Sequence, residues 1–268
     1  MTKIICKILL TILLGSNFIF AQNFSIKFFP EKKFYEKHFA DAIAQQFSIT
    51  KNFETPQWFG NIGAELTLTE LSIMENKFQL SVGSTVFNTL IKTPGHIQVY
   101  TADYLVDFYL DKPLINDLVG RLIWGHLSAH YADDGILELN NYSISYVRDY
   151  VGLAIQNKIN AIDGKVYGSL YYNFHNEPML DKKITFALGL DAGKEIFKDV
   201  LLYGAIDLKF KSEVNYGTTQ SYQAGFRFPF GGNKNFRLAY THRRGFEERG
   251  QLFNIKSIKN NLGIYFDF

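Results

Sequence analysis

The chain reads as an all-β protein, a transmembrane antiparallel β-barrel of about twelve strands with a short N-terminal periplasmic segment. Three observations predict this. In the last stretch, Asn261 to Phe268, apolar Leu262, Ile264, Phe266 and Phe268 alternate with polar or small Asn261, Gly263, Tyr265 and Asp267. That is the period-two pattern of a strand with one apolar face. The same alternation recurs from about residue 44 onward, broken at turn residues. Aromatic residues make up 16% of the chain, with 25 Phe and 16 Tyr, as expected where rings gird a bilayer interface. An apolar terminal strand leaves an edge in search of a partner. Closing a barrel in lipid removes the edge and gives the apolar face a matching solvent.

The N-terminus fits an exported protein. Lys3 and Lys7 precede the apolar run Ile8 to Leu14, and Ile19-Phe20-Ala21 stands before Gln22. Residues 1–21 are therefore expected to be a cleaved signal peptide. The apolar run is short for a membrane span and no basic stop follows it. The only cysteine, Cys6, lies inside this segment, so the mature chain is expected to have no disulfide and no cysteine-based metal site. The aromatic last residue, Phe268, resembles the C-terminal signal by which outer-membrane proteins reach their insertion machinery.

Residues 22–43 do not alternate. Phe34, Tyr35, His38, Phe39, Ala42 and Ile43 fall at helical spacing among Glu31, Lys32, Lys33, Glu36 and Lys37. The pattern predicts a short amphipathic helix, lying on the inner leaflet or plugging the barrel mouth.

Residues 44–268 form the expected barrel, with strands over 44–53, 61–73, 77–89, 97–110, 117–130, 140–159, 164–175, 183–193, 199–212, 216–229, 234–245 and 256–268. The even number suits a bacterial barrel. With the C-terminus periplasmic, the turns at Glu75-Asn76, Lys112-Pro113, Asp163-Gly164, Lys194-Glu195 and Gly231-Gly232 fall on the periplasmic side. Several of the opposite connections are longer, notably Gly245 to Ile255, as the rule of short inner turns requires. Strand 199–212 illustrates the faces: Val200, Leu202, Ile206, Leu208 and Phe210 point one way, Ala205, Asp207, Lys209 and Lys211 the other. On strand 164–175, Lys165, Ser169, Asn173 and His175 are assigned to the inner face. A change of parity between Tyr146 and Val151 suggests a bulge near Arg148-Asp149.

The inward-facing charges are Glu65, Asp103, Asp107, Arg121, Lys165, Asp191, Asp207, Lys209, Arg227, Arg237 and Arg243. A selective pore advertises one sign of charge. A mixed set forms a hydrogen-bonded ladder that fills a narrow lumen. Without Lys3 and Lys7 the 28 basic residues become 26, equal to the 26 acidic ones, a balance that disfavours a nucleic-acid partner. The expected partners are outer-membrane lipids, lipopolysaccharide and the insertion machinery, in the outer membrane of a Gram-negative cell.

One strand carries chemistry. On the outward parity of residues 117–130 stand Leu118, Gly120, Leu122, Trp124, His126, Ser128 and His130. Histidine and serine gain nothing from facing lipid, so they either clear the membrane or work at its surface. If Tyr142, Ile144 and Tyr146 face outward on the next strand, Asn140 does too. His126, Ser128 and Asn140 would then meet at the extracellular rim, with the Ser128 hydroxyl within about 3 Å of an imidazole nitrogen. A hydroxyl nucleophile, an imidazole to take its proton and a third group to orient the ring make an acyl-transfer set.

This constellation resembles outer-membrane phospholipase A, a twelve-stranded barrel with His-x-Ser on one strand and Asn near the start of the next. It is also similar to lipid A 3-O-deacylase, where a Glu takes the third role; Glu138 has the matching parity. Those enzymes continue Ser-Asn, whereas this chain has Ser128-Ala129-His130. Over His126 to Asp134 and Asn140 to Tyr146 the chain further resembles an uncharacterised family of bacterial outer-membrane barrels with a His-x-Ser-Ser-His segment and an acidic loop. Here Ala129 replaces the second Ser, and Asp133 and Asp134 supply the acid.

Two functions are therefore carried forward. One is a non-enzymatic envelope barrel with a largely filled lumen or narrow small-solute passage, in which His126 and His130 are rim residues. The other is an outer-leaflet lipid acyl hydrolase using His126, Ser128 and Asn140, with His130 and Glu138 as alternates. No cofactor is expected for the first; Ca²⁺, with Asp133 and Asp134 as weak candidates, enters only with the second. His38, His96, His175 and His242 show no metal-ligand spacing.

Overall fold

The computed structural model describes residues 24–139, 143–231 and 234–268; the expected signal peptide lies outside them. Thirteen strands form one sheet: β1 (Phe24–Phe28), β2 (Phe47–Asn52), β3 (Gln57–Ile73), β4 (Asn76–Thr93), β5 (His96–Pro113), β6 (Leu118–Tyr131), β7 (Tyr146–Ile159), β8 (Gly164–Glu177), β9 (Ile184–Phe197), β10 (Val200–Lys211), β11 (Gly217–Gly231), β12 (Lys234–Phe246) and β13 (Lys256–Asp267). Among the described residues one α-helix, α1 (Asp133–Leu139), follows β6.

Strands β2 to β13 close into a twelve-stranded antiparallel barrel. Consecutive strands pair, and β13 returns to β2 with Ile264 opposite Ile49. Closure gives every barrel strand a partner on both sides, as a sheet standing in hydrocarbon needs. β2 is short, so β3 runs on beyond its last partner; β1 covers the final part of that stretch, pairing Phe24 with Ile73 and Phe28 with Thr69.

The burial pattern decides between a membrane barrel and a soluble sandwich. A soluble sheet buries its apolar face. Here the buried side chains include Asp103, Asp111, Arg121, Asp191, Asp207, Lys209 and Arg237, while Leu122, Trp124, Leu153, Ile155, Leu188 and Ile264 are exposed. Apolar outside and polar inside is the barrel's order in lipid. The short turns β3–β4, β5–β6, β7–β8 and β9–β10 share one end with the C-terminus, which makes that end periplasmic. The opposite end carries α1 and the long β12–β13 connection.

The described part of the expected segment 22–43, residues 24–43, differs from the helix its spacing suggests. Phe24–Phe28 is a strand, and the chain from Phe29 to Gln46 has no helix at all. It threads the lumen instead, touching inward side chains from opposite walls. Gln79 clamps its backbone, accepting from Phe34 N–H at 2.8 Å and donating to Lys32 C=O at 2.7 Å. Gln156 does the same to Glu36, at 3.1 and 2.9 Å. Lys37 pairs with Asp267 at 2.5 Å, Lys209 with Asp41 at 3.0 Å. An extended segment suits this place because lumen side chains can satisfy its free backbone groups, whereas a helix would satisfy its own and need a wider bore. His38 stacks on Tyr167 with ring centroids 3.3 Å apart. Burial, with Lys165 and Arg121 nearby, pushes its pKa well below the ordinary 6.5.

The β12–β13 connection enters the lumen from the other end. Glu247 to Gln251 are all buried. Gly250 N–H donates to Asp103 at 2.8 Å, and Gln251 donates to the carbonyls of Ala129 and Ile144 at 2.6 and 2.8 Å.

Candidate active site

His126 sits on the outer face of β6, five residues before that strand ends, above the exposed apolar residues Leu122 and Trp124. The β6–β7 register sets Asp149 directly opposite it, and the β7–β8 register sets His175 opposite Asp149. The three form a row across three strands. His126 Nδ1 lies 2.6 Å from Asp149 Oδ1, and His175 Nδ1 lies 2.6 Å from Asp149 Oδ2. All three side chains reach the outer surface, with side-chain exposures of 48%, 25% and 56%.

Ser128 shares this face, two residues along β6 toward the extracellular end and opposite Val147. The strand repeat puts it roughly 7 Å from His126 along the backbone. Its hydroxyl makes no hydrogen bond to His126 or to any other described residue, so the close contact expected from the sequence is not formed in this arrangement. The bond to Asp149 occupies His126 Nδ1 and leaves Nε2 for another partner.

Asn140 lies outside the described residues, as does the side chain of Glu138. The described strand corresponding to the expected 140–159 begins at Tyr146, with α1 in the connection before it. Tyr146, Arg148 and Tyr150 point into the lumen, so Tyr146 does not face outward and the parity of β7 runs unbroken through Arg148 and Asp149. The irregularity is real but belongs to β8: Asp149 faces His175 while Tyr150 faces Asn173, leaving Phe174 as the extra residue. The bulge lets Phe174 and His175 both face outward while Asn173 stays buried, which overturns the inward assignment of His175. Bulges commonly re-aim a side chain in this way. A one-residue bulge leaves no mark in an alternation count.

His130 is exposed, its ring edge-on to Tyr104 at 5.9 Å. Asp134, in the first turn of α1, accepts from Val99 N–H at 3.1 Å, and Asp133 is exposed. Among the described residues no cluster of His, Cys, Asp or Glu is arranged to hold a metal ion.

The lumen charges form linked groups. Arg121 holds two carboxylates at once, Asp111 at 2.6 and 2.8 Å and Glu65 at 2.8 and 2.9 Å. Asp107 accepts from Tyr150, Tyr109 and Gln45 at 2.6 to 2.9 Å. Lys165 pairs with Asp191 at 3.1 Å, Asp207 accepts from Tyr167 at 2.7 Å, and Arg237 pairs with Asp267 at 2.7 Å. Arg243 donates to Ser221 at 3.2 Å. Arg227 lines a cavity of about 580 Å³ that remains between wall and threaded segment.

A closed twelve-stranded wall, apolar outside and polar inside, with a polar row near its outer rim, defines an outer-membrane β-barrel protein. Two solved structures share that fold. One is the outer membrane phospholipase dimer with bound calcium of Salmonella typhi: TM-score 0.53, 12% identity, 83% of this chain and 90% of that one covered. The other is outer membrane phospholipase A of Escherichia coli: TM-score 0.52, 13% identity, 87% and 99% covered. No family model and no curated protein matches the chain, so the resemblance to the uncharacterised barrel family rests on its motifs alone.

Proposed function

We propose that this barrel is a lipid acyl hydrolase of the outer leaflet, with Ser128 as nucleophile, His126 as base and Asp149 as the group that orients the ring. The observation that carries the reading is the 2.6 Å contact between His126 Nδ1 and Asp149 on the outer wall, with Ser128 on the same face. The carboxylate fixes the tautomer that leaves Nε2 as acceptor. The mechanism requires the Ser128 hydroxyl to turn toward that nitrogen. Apo sites are often looser than reacting ones.

In the reaction Ser128 Oγ attacks the ester carbonyl carbon while His126 Nε2 takes the hydroxyl proton. The tetrahedral adduct then expels the lipid alkoxide, which receives that proton from His126, leaving the fatty acyl group on Ser128. Water, losing a proton to His126, attacks the acyl carbon, and His126 returns that proton to Ser128 Oγ as the fatty acid is freed. Asp149 stabilises the imidazolium formed in each half. An outward site suits a substrate held in the membrane, since the ester need not leave the leaflet. Purified protein in detergent should release fatty acid from phospholipid or lipid A, tested with and without Ca²⁺. Ser128→Ala should abolish release while heat-modifiable migration is kept; release surviving that change sinks the mechanism.

A second reading, an envelope barrel without enzymatic activity, is favoured by the occupied lumen. The threaded segment, the inserted β12–β13 connection and the balanced ion pairs leave little passage for solutes. Absence of hydrolysis together with absence of steady conductance in planar bilayers would support it.

A further inference from the structure

The row on the outer wall does not end at Asp149. His175 occupies the carboxylate's second oxygen at the same 2.6 Å distance that His126 keeps to the first. We infer that His175 is a positioning residue of the hydrolytic site, locking the Asp149 carboxylate so that Oδ1 stays aimed at His126. The inference rests on the hydrolase reading above.

An orienting carboxylate in a buried triad is held by surrounding packing. Asp149 has no such shell: it stands on a lipid-facing wall, a quarter exposed. Its terminal torsion is intrinsically broad and two-fold, so an untethered carboxylate turns its oxygens away from His126 at little cost. A second donor on Oδ2 removes that freedom. The local fold goes out of its way to supply one. Without the extra residue Phe174 in β8, the alternation that keeps Asn173 inward would direct His175 inward too, away from Asp149. The bulge is what carries the imidazole to the outer face and into register with Asp149. His175 is itself more than half exposed, so its burial contributes little to folding and the usual core role does not account for it.

The roles of the two histidines are separable by asparagine. The amide nitrogen of Asn sits where Nδ1 of His does, so Asn can donate to Asp149 but has no counterpart of Nε2. At position 175, where only the Nδ1 contact matters, Asn should work; at position 126, where Nε2 takes the proton, it should not.

The test measures fatty-acid release from phospholipid micelles by the wild type, His175→Ala, His175→Asn and His126→Asn. The rate at which a long-chain sulfonyl fluoride labels Ser128 is followed in parallel. His175→Ala should lower kcat and labelling roughly tenfold with KM unchanged, the order of one hydrogen bond to a charged group. His175→Asn should restore both to within about twofold, while His126→Asn stays inactive. The low-field proton resonance of His126 Nδ1–H should weaken in His175→Ala and return in His175→Asn, a readout that needs no turnover. Unchanged kcat in His175→Ala, with the wild type active, overturns the positioning role alone. So does failure of His175→Asn to rescue, which would mean that the ring acts through Nε2. A wild type that releases no fatty acid and resists labelling sinks the hydrolase reading itself.

Discussion

His126 and Asp149 meet across two neighbouring strands, Nδ1 to Oδ1 at 2.6 Å, on the face of the barrel that looks toward lipid. Charged groups on that face cost roughly 2–4 kcal/mol for Arg or Lys at the midplane, less for Asp, and little near the interface. Their place in the outer part of β6 and β7 keeps that cost low, and their mutual hydrogen bond lowers it further. The pair also leaves one imidazole nitrogen free beside a serine.

The first prediction separates Asp149 from the residue that motif reading favours. Asp149→Asn keeps an acceptor for His126 but removes the charge that steadies the imidazolium. Its kcat for fatty-acid release should fall by about 10²- to 10⁴-fold. Asn140→Ala should stay within about threefold of wild type. Equal losses in the two variants would return Asn140 to the site.

Arg121 is bidentate to Asp111 and Glu65 together. Arg121→Ala leaves two confined carboxylates without their partner. Thermal unfolding in detergent should show a loss of about 3–5 kcal/mol. The double change with Asp111→Asn should recover part of it, and simple additivity would show that the groups are not coupled.

The threaded segment should behave as a plug held by two glutamines. Gln79→Ala and Gln156→Ala together remove four hydrogen bonds to its backbone, each worth about 1 kcal/mol. Ion conductance in planar bilayers should rise above that of the wild type, and protease should cut between Phe29 and Gln46 faster from the periplasmic side. Unaltered conductance would place the barrier elsewhere, at the β12–β13 connection.

Acid should loosen that connection. Burial opposes ionisation of Glu248, but Lys209, Lys211 and Arg243 outweigh it and hold its pKa at about 2, below the ordinary 4.5. A depressed carboxylate contributes its full stability above about pH 4.5 and loses it as pH falls toward 2. Melting temperature should therefore drop across that window, and Glu248→Gln should flatten this part of the curve.

The strand plan was legible in residues because it is local. Alternation such as Val200, Leu202 and Ile206 against Asp207 and Lys209 is dictated by the pleat, and lipid outside with charge inside makes each strand repeat it. Hence the twelve barrel strands fall within a few residues of their expected bounds at most ends. The N-terminal segment departs from its helical spacing because the partners of Phe34, Tyr35, His38 and Phe39 are Gln79, Arg121, Tyr167 and Tyr203, wall residues far along the chain. Such contacts form only once the barrel exists. The candidate site divides in the same way. His126 and Ser128 were visible because two residues on one strand always share a face. Asp149 and His175 were not. Which residue stands opposite His126 depends on the length taken up by α1 between β6 and β7, and the outward turn of His175 depends on a bulge at Phe174. Both are matters of register between strands, which no single strand's sequence encodes.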